Sequence, residues 1–124
     1  MGEITKPTVL IIDDDEDYLE ILKLGLNSDF NILTIRDFQS LKDELSGMRP
    51  SLILLDMHLA DTKSEDIVQF IRRLEFLKNI PIYMVSGSDA GKKVASELDL
   101  DGFMLKPASF HEIRDMLRVT LKMG

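Results

Sequence analysis

The chain has 124 residues, 44% of them hydrophobic and 30% charged, which is typical of one globular domain with a buried core. Its 22 acidic residues outnumber its 15 basic ones, and the resulting net charge of −7 argues against binding to nucleic-acid backbones. The sequence contains no cysteine and no apolar run near the roughly 18 residues of a membrane span, so disulfides, cysteine nucleophiles, thiolate zinc sites and membrane insertion are excluded.

The first half of the chain alternates apolar runs with amphipathic segments. Strands are predicted at Val9–Ile12, Asn31–Ile35 and Ser51–Leu55. The first helix is indicated by apolar residues at helical spacing: Tyr18, Leu19, Leu22 and Leu26. The second helix is expected to begin after an N-cap at Asp37 and to stop at Gly47.

The second half continues the same alternation. Two further strands are predicted, at Pro81–Val85 and Phe103–Leu105. We expect Ser64 to cap the third helix, the fourth helix to span Ala90–Leu98, and a capping box at Ser109–Glu112 to open the fifth.

Five strands that alternate with five helices, several of the strands apolar on both faces, predict a parallel sheet covered by helices on both sides. Because crossover connections are right-handed, the expected architecture is a doubly wound α/β fold. We expect residues 1–124 to form a single domain with a core of about residues 8–122.

Polar residues stand at the carboxyl ends of four predicted strands, where ligands bind in such sheets. They are Asp13, Asp14, Asp56, Ser86 and Lys106. Each alone is most often a turn residue, a cap or a solvated side chain, but those readings leave the matching positions unexplained. Two carboxylates about 4 Å apart repel by on the order of 4 kcal/mol at an effective dielectric near 20. One must take a proton or a cation must lie between them, and a site made of oxygen ligands suits Mg²⁺.

Two other ligands fit the acidic segment poorly. A calcium loop counted from Asp13 requires glycine at its sixth position and glutamate at its twelfth, and those positions hold Tyr18 and Leu24. A flavin phosphate requires a loop rich in serine, threonine and glycine after the first strand, whereas this loop is anionic. We therefore predict no organic cofactor.

With these motifs in place, the sequence resembles the receiver domain of two-component response regulators, from Val9 to about Leu121. The resemblance rests on the acids of IIDDDED, the strand-end aspartate of LILLDMHLAD, the hydroxyl of YMVSGSD and the lysine–proline pair of DGFMLKP. It implies a flavodoxin-like fold with strand order 2-1-3-4-5, and a protein that is a signalling switch, not a conventional enzyme.

The resemblance also implies roles for single residues. Asp56 is the expected phospho-acceptor, assisted by Lys106 and Ser86. The expected ligands of Mg²⁺ (or Mn²⁺) are Asp14, Asp56 and the backbone carbonyl of Met57, with Asp13 acting largely through water. The switch pair is Ser86 and Phe103, the positions that tune phosphoryl lifetime are His58 and Ser88, and the Lys106–Pro107 peptide bond is expected to be cis.

The same resemblance implies protein partners. We expect phosphoryl transfer from a histidine kinase or a phosphotransfer protein. We also expect a downstream partner, or a second copy of the chain, on the face formed by helix four, strand five and helix five, including Lys92, Lys93, Phe103 and His111. The first residues, MGEITKPT, lack the apolar segment of a signal peptide, so we expect a cytoplasmic location.

Two positions depart from the family pattern. Receiver domains often have proline four residues after the acceptor and glycine eight residues after it, where this chain has Ala60 and Ser64. These departures leave open an alternative function, a receiver-like interaction module that no longer cycles phosphate. A magnesium-dependent hydrolase of the haloacid-dehalogenase type is disfavoured, since it requires Asp-x-Asp where the chain has Asp56-Met57-His58.

Overall fold

The computed structural model describes residues 6–60 and 62–123. Within them the chain forms five strands: β1 Thr8–Ile12, β2 Asn31–Ile35, β3 Leu52–Asp56, β4 Ile82–Ser86 and β5 Gly102–Leu105. The helices of the same residues are α1 Glu16–Leu26, α2 Phe38–Glu44, α3 Ser64–Arg73, α4 Ala90–Glu97 and α5 Phe110–Thr120. Single 3-10 turns follow α2 and α3, at Leu45–Gly47 and Glu75–Leu77.

The strands pair in parallel in the order β2-β1-β3-β4-β5, so the prediction of a doubly wound sheet with this order is confirmed. β1 and β3 are central, and their apolar runs are buried on both faces, since Val9–Ile12 and Leu52–Leu55 are almost inaccessible to solvent. Continuous burial of this kind is what a sheet covered by helices on both sides requires.

Alternate residues of the strands divide the core into two layers. On one face, Leu10, Ile12, Ile53 and Leu55 pack with α2, α3 and α4. On the other face, Val9, Ile11, Leu52 and Leu54 pack with α1 and α5. The sheet is therefore held between two apolar layers, and its carboxyl edge is left for polar side chains.

The ends of some elements differ from the sequence-based expectation. β3 and β4 each extend one residue further than predicted, so Asp56 and Ser86 are the last residues of their strands. Ser64 is not the N-cap of α3, because Lys63 occupies that position and Ser64 is the first helical residue. The predicted caps at Asp37 and Ser109 are confirmed, since their side chains accept hydrogen bonds from the amides of Ser40 and Glu112.

Candidate functional site

The register of the parallel strands brings the predicted polar residues to one edge of the sheet. Ile12 pairs with Leu55, and each is followed directly by an aspartate, Asp13 or Asp56. On the other side of β3, Ser86 ends β4 opposite Leu105, which precedes Lys106. Since all these strands run in the same direction, their ends lie at one level.

Three carboxylates gather at this edge. Asp13, Asp14 and Asp56 each offer an oxygen, and these oxygens lie within 4.8 Å of one another. Asp13 is only 2% exposed and Asp56 only 7%, whereas Asp14 faces solvent. Burial, followed by the negative charge of Asp13, raises the pKa of Asp56 to about 6. A carboxyl group held in this environment favours either a proton or a nearby cation.

Lys106 supplies one positive charge to this cluster. Its ammonium donates a hydrogen bond of 2.8 Å to Oδ2 of Asp13, across 93 positions of sequence. Burial lowers the pKa of Lys106, but the hydrogen bond and charge of Asp13 outweigh it, so the pKa is raised overall. One ammonium against three carboxylates leaves the edge negative, and a divalent cation fits the remaining charge.

The acidic residues after β1 have two structural roles: some belong to the carboxylate cluster, and the others cap or begin α1. Asp13 and Asp14 belong to the carboxylate cluster, and the amide of Asp15 donates to Oδ1 of Asp13 at 2.8 Å. Asp15 itself is the N-cap of α1, where it accepts from the amide of Tyr18. Glu16 and Asp17 lie in the first turn, where negative charge offsets the positive end of the helix dipole.

Tyr18 contributes to the site in a way that the sequence analysis did not predict. The ammonium of Lys106 lies 4.6 Å from the centre of the Tyr18 ring, within the range of a cation–π interaction. The tyrosine hydroxyl donates to the carbonyl of Ala108 at 2.9 Å. Burial, followed by the charge of Asp13, raises the pKa of Tyr18 to about 12. The sequence signal for this contact is that Tyr18 lies about one helical turn after Asp13 and Asp14.

The loop after β3 approaches the same cluster through its backbone. The amide of His58 lies 3.3 Å from Oδ1 of Asp56, and the amide of Ala60 lies 3.3 Å from Oδ2 of Asp14. The hydroxyl of Ser64 donates to the carbonyl of Met57 at 3.0 Å. The side chain of His58 is exposed.

Ser86 and Phe103 lie beside one another under the start of α4. Ser86 is fully buried; its hydroxyl accepts from the amide of Ser88 at 3.1 Å and contacts the sulfur of Met57 at 3.8 Å. Phe103 is half-buried against the core. Both residues touch the surface of Gly91, a residue that sequence reasoning did not single out, because its significance lies in a packing distance.

A shallow hollow of about 550 Å³ lies between α4 and β5. Its lining includes Lys92, Ala95, Phe103 and Leu105. His111, at the start of α5, is exposed.

The peptide bond between Lys106 and Pro107, which joins β5 to the loop before α5, is cis, as the resemblance implies.

Comparison with known proteins decides the family. The model of the response regulator receiver domain matches residues 9–118 of the chain. The chain belongs to this family. Receiver domains are signalling switches of two-component systems and not conventional enzymes, and they typically bind Mg²⁺.

The similarity of this receiver domain extends to curated sequences and to solved structures. The response regulator protein GraR of Staphylococcus aureus is 29% identical over 102 residues, which cover 80% of this chain and 44% of that protein. The chain therefore spans less than half the length of that relative.

Two solved structures share the fold of this receiver domain. The chemotaxis response regulator CheY4 of Vibrio cholerae superposes with a TM-score of 0.84 at 18% identity, covering 94% of this chain and 99% of that chain. A two-component response regulator from Clostridium difficile gives a TM-score of 0.84 at 21% identity, covering 95% of this chain and 98% of that chain.

Among residues 6–60 and 62–123, no helix has the length and apolar character needed to cross a bilayer.

Proposed function

We propose that this receiver domain is a phospho-accepting switch in which Asp56 takes a phosphoryl group from a histidine kinase or a phosphotransfer protein. The observation that carries the proposal is the cluster of Asp13, Asp14 and Asp56 at one edge of the sheet, with Lys106 bonded to Asp13. Asp56 ends the central strand β3, so its backbone is fixed by the sheet at this edge.

The residues of the site fit a hard divalent cation. The carboxylates of Asp14 and Asp56 and the carbonyl of Met57 would hold Mg²⁺ or Mn²⁺ directly, and Asp13 would act through water. The mutual proximity of three carboxylate oxygens and the raised pKa of Asp56 both favour a cation there. When bound, the cation neutralises charge on the phosphoryl oxygens.

The transfer itself uses groups of this chain. An oxygen of the Asp56 carboxylate forms a bond to phosphorus as the bond from phosphorus to the donor's imidazole nitrogen breaks, and the freed nitrogen takes a proton. Lys106 is within the cluster, so its ammonium stabilises the negative charge of the transferring group. Asp13 holds Lys106 in place through the hydrogen bond between them.

The phosphorylated state then alters the output face. Ser86 hydrogen-bonds the new phosphoryl group, and Phe103 moves into the space released beside it. Both side chains lie close to Gly91 of α4, which supports this coupling. The face of α4, β5 and α5, including Lys92, Lys93, Phe103 and His111, changes shape for a downstream partner or a second copy of the chain. His58 and Ser88 tune the lifetime of the phosphoryl group.

Three broader proposals accompany this function. The domain works in the cytoplasm, where its kinases act. Residues 1–124 form a single unit. This stretch of chain binds neither nucleic acid nor membranes itself, since it is acidic.

Incubation with Mg²⁺ and acetyl phosphate, followed by intact-mass measurement, tests the proposal. We expect one added phosphoryl group, which is absent in Asp56→Asn and in samples treated with a chelator. Asp17→Asn is the matched control, because it removes an exposed acid of α1 outside the cluster and should still be phosphorylated. A wild-type chain that acquires no phosphoryl group from several donors would favour the interaction module.

A further inference from the structure

Ser64 makes a contact that its position in the sequence did not predict. It is the first residue of α3 and is only 6% exposed, and it does not cap its own helix. Instead its hydroxyl reaches back seven residues and donates to the carbonyl of Met57 at 3.0 Å. That carbonyl is one of the oxygens that the proposed function assigns to the divalent cation.

A second contact from the same loop ends on another proposed ligand. The backbone amide of Ala60 approaches Oδ2 of Asp14 at 3.3 Å. Ala60 adopts a φ of 47°, in the left-handed region that alanine rarely occupies. A proline at this position has neither the N–H group nor access to that φ, so the contact requires a residue other than proline.

The two hydrogen bonds restrain oxygens of two different proposed ligands, Met57 and Asp14. A carbonyl oxygen has two lone pairs, so the bond from Ser64 leaves one free for a metal. Mg²⁺ demands nearly ideal octahedral geometry and gives up its water reluctantly. Its affinity therefore depends on how much free energy is needed to fix each ligand in place. Partners that orient metal ligands are accordingly a large part of metal affinity in proteins.

We propose that Ser64 is a positioning residue of the metal site, holding the Met57 carbonyl in the orientation that the cation needs, with the Ala60 amide doing the same for Asp14. The inference rests on the proposed function, since it takes Met57 and Asp14 as ligands. It gives Ser64 and Ala60, the two departures from the family pattern, a shared role at the site.

Titration of the unphosphorylated chain with Mg²⁺ by calorimetry, and with Mn²⁺ by electron paramagnetic resonance, tests this role without phosphoryl transfer. Ser64→Ala should weaken affinity for both ions by about 3- to 10-fold, at or below the low end for partners of metal ligands because the contact is uncharged. Ser64→Thr keeps the hydroxyl and should bind within about twofold of the unaltered chain. Ser46→Ala, which removes an exposed hydroxyl in the turn after α2, is the matched control.

The outcomes distinguish failure of the Ser64 role from failure of the proposed metal site. If the unaltered chain binds metal and Ser64→Ala binds equally well, or if Ser64→Thr loses as much affinity as Ser64→Ala, only the inference is overturned. If the unaltered chain binds neither ion, the proposed metal site is wrong and the inference fails with it. Thermal unfolding without metal is measured in parallel, because a purely structural serine would lower the melting temperature and leave the metal affinity unchanged.

Discussion

Gly91 lies in the first turn of α4, where the helix passes directly over Ser86 and Phe103. A Cβ atom added at this position would lie 2.7 Å from Cβ of Ser86 and 2.8 Å from Cε2 of Phe103. Both distances are shorter than van der Waals contact allows. The Ser86 atom is next to the backbone of a buried strand and cannot yield, so Gly91→Ala must displace the helix or turn the Phe103 ring outward.

The size of the effect follows from two opposing terms. Overpacking in a well-packed region costs about 1–3 kcal/mol, and two contacts below 3.0 Å place this case in the upper part of that range. Alanine is preferred over glycine inside a helix by up to about 1 kcal/mol, which offsets part of the cost. We therefore expect Gly91→Ala to lower the free energy of unfolding by about 1–2 kcal/mol.

Urea denaturation followed by far-UV circular dichroism measures this difference. Gly47→Ala is the matched control, because a Cβ at Gly47 meets no atom within 4 Å and should not lower stability. The fluorescence of an environment-sensitive probe near β5 would report the outward turn of Phe103. A Gly91→Ala chain as stable as the unaltered protein would refute the reasoning, since it would mean that α4 does not lie as close to Ser86 as described.

Three further substitutions probe the charges of the site without divalent metal. Asp56→Asn should stabilise the chain by about 3 kcal/mol at pH 7.5, because a pKa raised from 3.8 to about 6 makes ionisation of Asp56 costly to folding. That gain should shrink as pH falls through about 6 and vanish below about 4, and a gain independent of pH in urea titrations would contradict it. Lys106→Met leaves Asp13 buried without its cationic partner and should lower the free energy of unfolding by about 3 kcal/mol in the same assay. Lys93→Met is its control: it breaks only an exposed ion pair and should lower the free energy of unfolding by under about 0.5 kcal/mol. Tyr18→Phe removes one hydrogen bond and keeps the ring beneath Lys106, so calorimetric melting should show a loss of about 1 kcal/mol, and no loss would mean that the hydroxyl is free.

The sheet and the composition of its edge were predictable because both depend on local pattern. Apolar runs such as Val9–Ile12 identify buried strands, and in a parallel sheet the residue after each strand reaches the same edge. Asp13 and Lys106 could therefore be predicted to meet although they lie 93 positions apart. The assembly of the acids required only the strand positions and the direction of the chain.

The contacts that depend on distances between elements could not be predicted. Serine is a residue type preferred at helix N-caps, so the sequence predicts Ser64 as a cap. Its hydroxyl donates to the Met57 carbonyl only because of the path that the loop takes. Tyr18 was assigned to an apolar helix stripe, and its ring under Lys106 depends on how α1 lies against the loop before α5. Gly91 has no local signal, because the lack of room for a side chain there arises from the closeness of α4 to Ser86 and Phe103.

One of the two edge strands of the described sheet, β5, links the ammonium that bonds Asp13 to the ring that packs against α4. β5 pairs with only one neighbour and is the least buried of the five strands described, and Lys106 follows it directly while Phe103 lies within it. Local separation of β5 from β4 would move the Lys106 ammonium away from Asp13 and the Phe103 ring away from the core together. Hydrogen exchange of the β5 amides would therefore measure how often the Lys106–Asp13 hydrogen bond and the packing of Phe103 are released together.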